Sequence, residues 1–285
     1  MKLTALAAAA VLLATVVARA AAPPAPPAAP VLPAAEVIVR IPADEARQGV
    51  AVDERYLYPV ANSRIGKYDK ATHAKLAEWR GSPQLYPHIN HCSALEKKLV
   101  CASSNYPQVP MSSSVEIFDP VRMAHERTIS FGPMIGSLTW IDRKDGFWWA
   151  TFANYDGQGG DPGRDHRFTT LVKFDDQWRR MEGWSFPASV LERFTPMSSS
   201  GGAWGPDGLL YITGHDHTEL YVLRLPAAGS VLEHVATIPM AVEGQAIVWD
   251  RSARERILYG ISRPKLEIVG MRIPSLPAAL LAKAP

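Results

Sequence analysis

The stretch GGAWGPDGLLYITGHDH, residues 201–217, has the pattern of two short strands joined by a tight turn. Apolar residues flank Pro206-Asp207-Gly208, a combination that favours a turn between paired strands. His215 and His217 follow the second strand directly, on either side of Asp216. In an extended chain these two side chains point to the same side, so they can share one metal ion or one ligand. What else lies near them depends on the fold.

Four other segments repeat this pattern of strand, turn and strand. They are residues 47–64, 90–107, 136–156 and 244–263, and successive segments start 43 to 65 residues apart. Such a period, with four short strands in each unit, is typical of a β-propeller. The longest unit contains a Gly-rich insertion, YDGQGGDPGRDHR at residues 155–167. We therefore predict an all-β propeller of five blades, with six blades as the alternative.

The start of the folded region resembles the end of an internal repeat. EVIVRIPADEARQG at residues 36–49 parallels EHVATIPMAVEGQ at residues 233–245, including the shared Ile-Pro pair. The final repeat ends near Pro274 without a fourth strand. We therefore expect residues 36–41 to supply that strand and close the ring, which removes two exposed sheet edges.

The chain begins with the features of a secretory signal. An apolar run from Leu3 to Val17 is followed by Ala18-Arg19-Ala20, which fits the small-residue cleavage rule. We predict a signal peptide at residues 1–20, a Pro/Ala-rich linker at 21–35, the propeller at 36–274 and a C-terminal tail at 275–285. The expected location is periplasmic or secreted. The near balance of 30 basic and 28 acidic residues argues against nucleic-acid binding.

Cys92 and Cys101 are the two cysteines of the chain. A turn at Glu96-Lys97 would place them directly opposite each other on paired strands. Because an exported protein meets an oxidising compartment, we predict a disulfide between them. Two buried free thiols are the alternative.

Polar residues recur where the predicted propeller would expose one of its faces. The loops joining the second to the third strand of each blade lie on the same face as the loops entering the next blade, around the central channel. The substrate-binding candidates on this face are Asn62, Arg64, Asn105, Asn154, Tyr155, Gln245 and Arg263. The asparagines also have a structural interpretation, because Asn stabilises turns.

Five of the eight histidines fall on this predicted face, and they allow two kinds of chemistry. In the first, a divalent ion, Ca²⁺ or Zn²⁺, activates water for hydrolysis, with metal ligands drawn from His91, His215, His217, His166 and Asp161. In the second, His91 or His215 is a general base, Tyr106 or Tyr155 a general acid, and an arginine holds a substrate carboxylate. The catalytic candidates are thus His91, His215 and Tyr106.

Residues 201–214 resemble the strand-turn-strand unit of gluconolactonase-like, lactonase and cycloisomerase propellers around Trp-x-Pro-Asp-Gly. The resemblance implies a propeller with a divalent metal held in the channel by carboxylate and Asn side chains. Asn105 and Asn154 are the counterparts that this sequence offers. Ser200 stands where the family has an Asn, and Gly214 where it has a catalytic Asp.

These observations together predict an exported, monomeric enzyme that acts on a small polar, carbohydrate-like or sugar-acid-like substrate. The reaction would be lactonase-type hydrolysis, or lyase or isomerase chemistry. The alternative is a non-catalytic propeller that binds a sugar or a peptide, or that serves as a scaffold. No nucleic-acid partner and no stable membrane insertion are expected.

Overall fold

The computed structural model of the chain describes residues 28–133 and 136–282. The expected signal peptide at residues 1–20, and most of the linker that follows it, lie outside the described residues. None of the helices within the described ranges is long and apolar enough to span a membrane.

The chain forms five antiparallel sheets of four strands each, arranged as a ring, so the prediction of a five-bladed β-propeller is confirmed. Blade 1 contains β2 (Gly49–Val52), β3 (Tyr56–Ala61), β4 (Arg64–Asp69) and β5 (Lys75–Arg80). Blade 2 contains β6 (His88–Leu95), β7 (Lys98–Ser104), β8 (Ser112–Asp119) and β9 (Ala124–Pro133). Blade 3 contains β10 (Ser137–Lys144), β11 (Phe147–Ala153), β12 (Thr170–Phe174) and β13 (Arg180–Ser185). Blade 4 contains β14 (Gly201–Trp204), β15 (Leu210–Thr213), β16 (Glu219–Arg224) and β17 (Glu233–Pro239).

Blade 5 joins the two ends of the folded region. Its strands are β18 (Val248–Trp249), β19 (Ile257–Ser262), β20 (Glu267–Arg272) and, as the outer strand, β1 (Glu36–Pro42). β1 pairs with β20 over its length, from Glu36 opposite Arg272 to Pro42 opposite Glu267. The N-terminal strand therefore closes the ring as the sequence repeat predicts. Its Ile41 is buried in the apolar cluster between blade 5 and blade 1.

The residues beside this closing strand also pack on the propeller. Residues 30–35 run along the outer edge of blade 4, where the amide of Leu32 donates to the carbonyl of Thr237 at 2.8 Å and Thr237 donates back to Pro30 at 2.9 Å. At the other end of the chain, Leu276 is buried in the core between blades 4 and 5. Two short helices, α1 (Ala188–Phe194) and α2 (Ala278–Leu281), complete the fold.

Apolar side chains fill the spaces between neighbouring blades. Trp140 and Trp204 belong to one cluster between blades 3 and 4, together with Phe194 of α1. The predicted disulfide is present: Cys92 on β6 lies opposite Cys101 on β7, and the two sulfurs are bonded. The innermost strands of the five blades surround a central channel, and one face of the ring carries the loops between second and third strands. We call this the upper face.

Candidate functional site

A cavity of about 250 Å³ lies at the centre of the upper face, and all five blades contribute to its wall. Five residues selected from the sequence line it: Tyr106, Tyr155, His215, Gln245 and Arg263. Its other lining residues are Gln48, His88, Asn90, Thr139, Met197 and Ser200. The loops between strands thus meet at one point, as the propeller plan requires.

Two of the lining residues that the sequence did not reveal lie at β-bulges. The register between β6 and β7 shifts between Ile89 and His91, which leaves Asn90 unpaired. The register between β10 and β11 shifts in the same way between Leu138 and Trp140, at Thr139. A bulge redirects a side chain that regular alternation would place elsewhere, and bulges are common beside active sites. The Asn90 side chain is held in place by its donation to the carbonyl of Leu138 at 2.8 Å.

Three rings form one side of the cavity. The ring of Tyr106 lies 5.1 Å from that of His88 and 5.0 Å from that of Tyr155, measured between centroids. Burial and then the positive charge of Arg263 lower the pKa of His88 to about 4, although a hydrogen bond with Asn90 opposes this. Burial raises the pKa of Tyr155 well above its usual value. At neutral pH both side chains are therefore uncharged.

His215 lies at the end of β15 and is paired with a carboxylate. Its Nδ1 lies 2.6 Å from Oδ1 of Asp216. A carboxylate only accepts at neutral pH, so this contact assigns the ring proton of neutral His215 to Nδ1 and leaves Nε2 with a lone pair. A histidine oriented in this way is suited to accept a proton from a ligand.

Arg263 supplies the permanent positive charge of the cavity. No ion pair or side-chain hydrogen bond of this arginine is found within the described parts of the chain. No Asp, Glu or Lys is among the described residues that line the cavity. The guanidinium of Arg263 is exposed and lies beside a concave site of otherwise neutral side chains, so it is open to an anionic group on a ligand.

His91 does not line the cavity, although it follows Asn90 directly. Its side chain is fully buried, and its Nδ1 accepts from the amide of Ile141 at 3.4 Å. Burial is the main reason that the pKa of His91 is lowered to about 3, and the positive charge of Arg251 contributes. His91 is thus a neutral residue packed inside the channel, where it joins blades 2 and 3.

The remaining predicted binding residues lie around the cavity without lining it. Asn62 accepts from Nε2 of Gln48 at 2.8 Å, so it positions a residue that does line the cavity. Arg64 lies next to Glu78 and the carbonyl of Asp44. Asn105 accepts from the amide of Ser112 and donates to the carbonyl of Pro110, which closes a turn. Asn154 is buried and donates to the carbonyl of Phe168.

The five metal-ligand candidates are distributed over different places. His217 lies 3.2 Å from Nη2 of Arg193, and Asp161 accepts from the amide of Met111 at 3.0 Å. His166 lies with Asp156 and Asp165 in the insertion, the one group of three or more potential ligands whose atoms come within 4.8 Å of one another among the described residues. In that group, His166 is already paired with Asp156 at 2.5 Å.

The lining of the central cavity does not fit a divalent cation. Ca²⁺ requires six to eight oxygen ligands, several of them carboxylates, and Zn²⁺ requires at least three protein ligands in a catalytic site. Here the described lining residues provide two histidines, no carboxylate and one cationic arginine. The chemistry of this donor set favours a ligand with its own negative charge.

Comparison with known proteins assigns no family. No family model matches the chain. No curated protein matches it either. Among solved structures, a chain of the mitotic checkpoint complex is 10% identical with a TM-score of 0.45, covering 94% of this chain and 99% of its own. A luciferin-regenerating enzyme is 10% identical with a TM-score of 0.47, and the match covers 84% of this chain and 95% of that enzyme's chain. The hydrazine synthase of Kuenenia stuttgartiensis is 11% identical with a TM-score of 0.46, and the match covers 79% of this chain and 70% of the synthase chain. Likeness at this level assigns neither a family nor an activity.

Proposed function

We propose that the central cavity binds a small hydroxylated carboxylic acid, such as a sugar acid, and catalyses its isomerisation or β-elimination by acid–base chemistry. The observation that carries this proposal is the unpaired Arg263 in a cavity whose described lining contains no acidic side chain. A bidentate guanidinium–carboxylate pair would fix the orientation of the acid.

Neutral polar groups supply the rest of the recognition. The amides of Gln48 and Gln245 can both donate and accept, which suits ligand hydroxyl groups that do the same. Asn90 donates to Leu138 and Ser104, so it offers a ligand only its oxygen. The rings of Tyr106 and Tyr155 provide apolar surface for the carbon skeleton of a sugar. Arg263 thus selects the charge, and the amides select hydroxyl groups.

His215 and Tyr106 are the proposed base and acid. In β-elimination, Nε2 of His215 takes the proton from the carbon next to the carboxylate, and the electrons of that C–H bond form the new C=C bond. The bond from the β-carbon to its oxygen breaks, and the hydroxyl of Tyr106 gives a proton to the leaving oxygen. Arg263 stabilises the negative charge that develops on the carboxylate as the proton leaves. Asp216 stabilises the imidazolium that forms.

Lactonase-type hydrolysis is the other reaction that the sequence suggested. It depends on a divalent metal in the channel, and the donor set described above does not fit one. The proposed acid–base chemistry therefore uses only the side chains of the protein.

A non-catalytic sugar-acid-binding module is the second candidate function. The burial of His88 and Tyr155, which keeps both side chains uncharged, favours it. Such groups hold a ligand through fixed hydrogen bonds without exchanging protons. The same ligand would then bind and be released unchanged.

The disulfide supports export of the protein. Disulfides persist in oxidising compartments and are rare in the cytosol. We propose that the protein works outside the cytoplasm on a ligand that is free in solution.

Binding and turnover can be tested separately. Calorimetric titration with galacturonate and with galactose should show binding of the acid and at least tenfold weaker binding of the neutral sugar. Replacing Arg263 with Gln should weaken the binding of galacturonate by about tenfold or more, because a charge-assisted pair is lost. The variant should then bind the acid and the neutral sugar with similar affinity. The matched control is Arg254→Gln, since Arg254 lies on the opposite face of the same blade and forms no ion pair with a described residue.

The formation of an unsaturated acid, followed by ultraviolet absorbance with 4-O-linked uronates as substrates, tests the elimination. Product formation that depends on His215 supports the enzyme. Binding of the acid without product, over a panel of uronates and aldonates, supports the binding module. Equal binding of the acid and the neutral sugar would overturn both candidates.

A further inference from the structure

A second cavity, of about 470 Å³, lies on the side of blade 2 that faces blade 1. Its walls are the ends of β7, β8 and β9 and the segment Gln84–Pro87, which leads into blade 2. It is distinct from the central cavity, with which it shares no lining residue among those described.

The register of blade 2 shows how the wall of this cavity is built. One cross-strand row is Leu99, Phe118 and His125, and the next is Cys101, Glu116 and Thr128. The third row, nearest the upper face, is Ser103, Ser114 and Ser130. These rows point to blade 1, so the face is apolar at one end and becomes polar towards the other. Apolar packing, as by Leu99 and Phe118, would suffice for contact between blades.

Glu116 is the charged group of the cavity and is 4% exposed. Its carboxylate accepts from the hydroxyls of Ser114 and Thr128, both at 2.6 Å, and lies 2.8 Å from Nε2 of His125. Burying a carboxylate costs free energy that only such hydrogen bonds offset. The chain therefore maintains a hydrogen-bonded carboxyl group, paired with His125, at a position where apolar side chains could fill the interface.

The hydroxyl hydrogens in this wall are mostly already used. A serine or threonine hydroxyl has one hydrogen and two lone pairs. Ser114 and Thr128 give their hydrogens to Glu116, and Ser103 gives its hydrogen to the carbonyl of His88. Ser113 donates to the carbonyl of Gly136. Ser130 accepts from the amide of Gly132 and keeps its hydrogen for a ligand, and Ser104 and Ser112 likewise donate to no described residue. The wall thus offers serine lone pairs together with a few free hydroxyl hydrogens, and no Lys or Arg is among its described lining residues.

We propose that this cavity is a second binding site, specific for a small hydroxylated ligand that carries an ammonium group, as an amino sugar does. The ammonium group supplies three donors and the charge that complements Glu116. The ligand hydroxyls donate to the serine lone pairs and accept from Ser130. The specificity is opposite to that of the central cavity, whose fixed charge is positive, and it does not depend on the function proposed for that cavity.

The test is calorimetric titration of the whole protein with glucosamine and with glucose, below the pH at which the amine loses its proton. Glucosamine should bind, and glucose, which has the same hydroxyl groups without the ammonium, should bind at least about tenfold more weakly. Glu116→Gln should remove the preference for glucosamine. Arg263→Gln, in the central cavity, should leave glucosamine binding unchanged.

A second variant covers the case in which Glu116→Gln does not fold. Ser130→Leu places a bulky side chain at the exposed rim of the cavity, where folding tolerates it, and should abolish glucosamine binding. Arg127→Gln, on the other face of the same strand, is the matched control and should bind normally. Equal affinity for glucose and glucosamine, or glucosamine binding that survives Ser130→Leu, would overturn the proposal.

Discussion

Asp142 and Arg251 form an ion pair between two blades that are not neighbours. Both carboxylate oxygens of Asp142, on blade 3, lie within 2.8 Å of Nη2 of Arg251, on blade 5. The same carboxylate accepts from the amide of Trp204 on blade 4, also at 2.8 Å. The Asp142 side chain is 2% exposed. One buried carboxylate therefore ties three blades together at the lower end of the channel.

Removing the arginine from this pair should destabilise the fold. Arg251→Gln leaves Asp142 buried with weaker partners, and we expect a loss of about 2 kcal/mol in the free energy of unfolding. Urea denaturation of the variant and of the wild type measures this difference in the free energy of unfolding. Arg254→Gln, three residues away and exposed, should change stability by less than about 0.5 kcal/mol. Equal effects of the two substitutions would contradict the role given to this pair.

The closing strand β1 should contribute to global stability through its buried side chain. Ile41→Ala removes a side chain that is 1% exposed, and we expect a loss of about 3 kcal/mol from the cavity left behind. Ile38, on the same strand, is 40% exposed, so Ile38→Ala should have a much smaller effect. Thermal and urea unfolding of the two variants measure these losses of stability. If both variants were as stable as the wild type, β1 would not be an integral strand of blade 5.

Acid should destabilise the protein through two histidines, the fully buried His91 and the partly buried His88. The pKa is lowered to about 4 for His88 and to about 3 for His91, from an ordinary value of 6.5. Between pH 6.5 and these values the unfolded chain binds more protons than the folded one, so stability falls as the pH falls. For each histidine the loss between pH 7 and pH 4.5 is on the order of 2–3 kcal/mol.

The variant His91→Gln isolates one of these contributions. Its free energy of unfolding should fall less between pH 7 and pH 4.5 than that of the wild type, by about 2 kcal/mol. Urea titrations at the two pH values provide the comparison. A variant whose acid sensitivity equals that of the wild type would show that His91 is not buried in its neutral form.

Proton transfer by His215 can be separated from ligand binding. If His215 is the base, His215→Gln should lower kcat by about 10²–10⁴-fold, and the affinity for the acid should change far less. His217→Gln is the matched control, because His217 is two residues away but contacts Arg193 outside the cavity lining. Equal losses in the two variants would argue against a catalytic role for His215.

Patterns along the chain are sufficient to predict the architecture of the propeller and the way its ring closes. The repeat starting at Arg47, Asn90, Gly136, Gly201 and Gly244 predicts five blades, and the Ile-Pro pair at Ile41 identifies the strand that closes the ring. Cys92 and Cys101 are bonded where the hairpin pattern places them. These features depend on local spacing and on strand periodicity, both of which are written in the chain as patterns of residues.

Which polar residues meet at the cavity depends on contacts between strands that are distant in the sequence. A regular β6 would place His91 on the same side as Ile89, but the bulge at Asn90 changes the alternation, so that Asn90 lines the cavity and His91 is buried in the channel. Thr139 is displaced to the cavity by an equivalent bulge. A bulge depends on how one strand fits its neighbours, so spacing along the chain cannot reveal it. Likewise, Arg263 has no ion-pair partner among residues 28–133 and 136–282, whereas Arg251 binds Asp142, because partners 109 residues apart meet only in the closed ring.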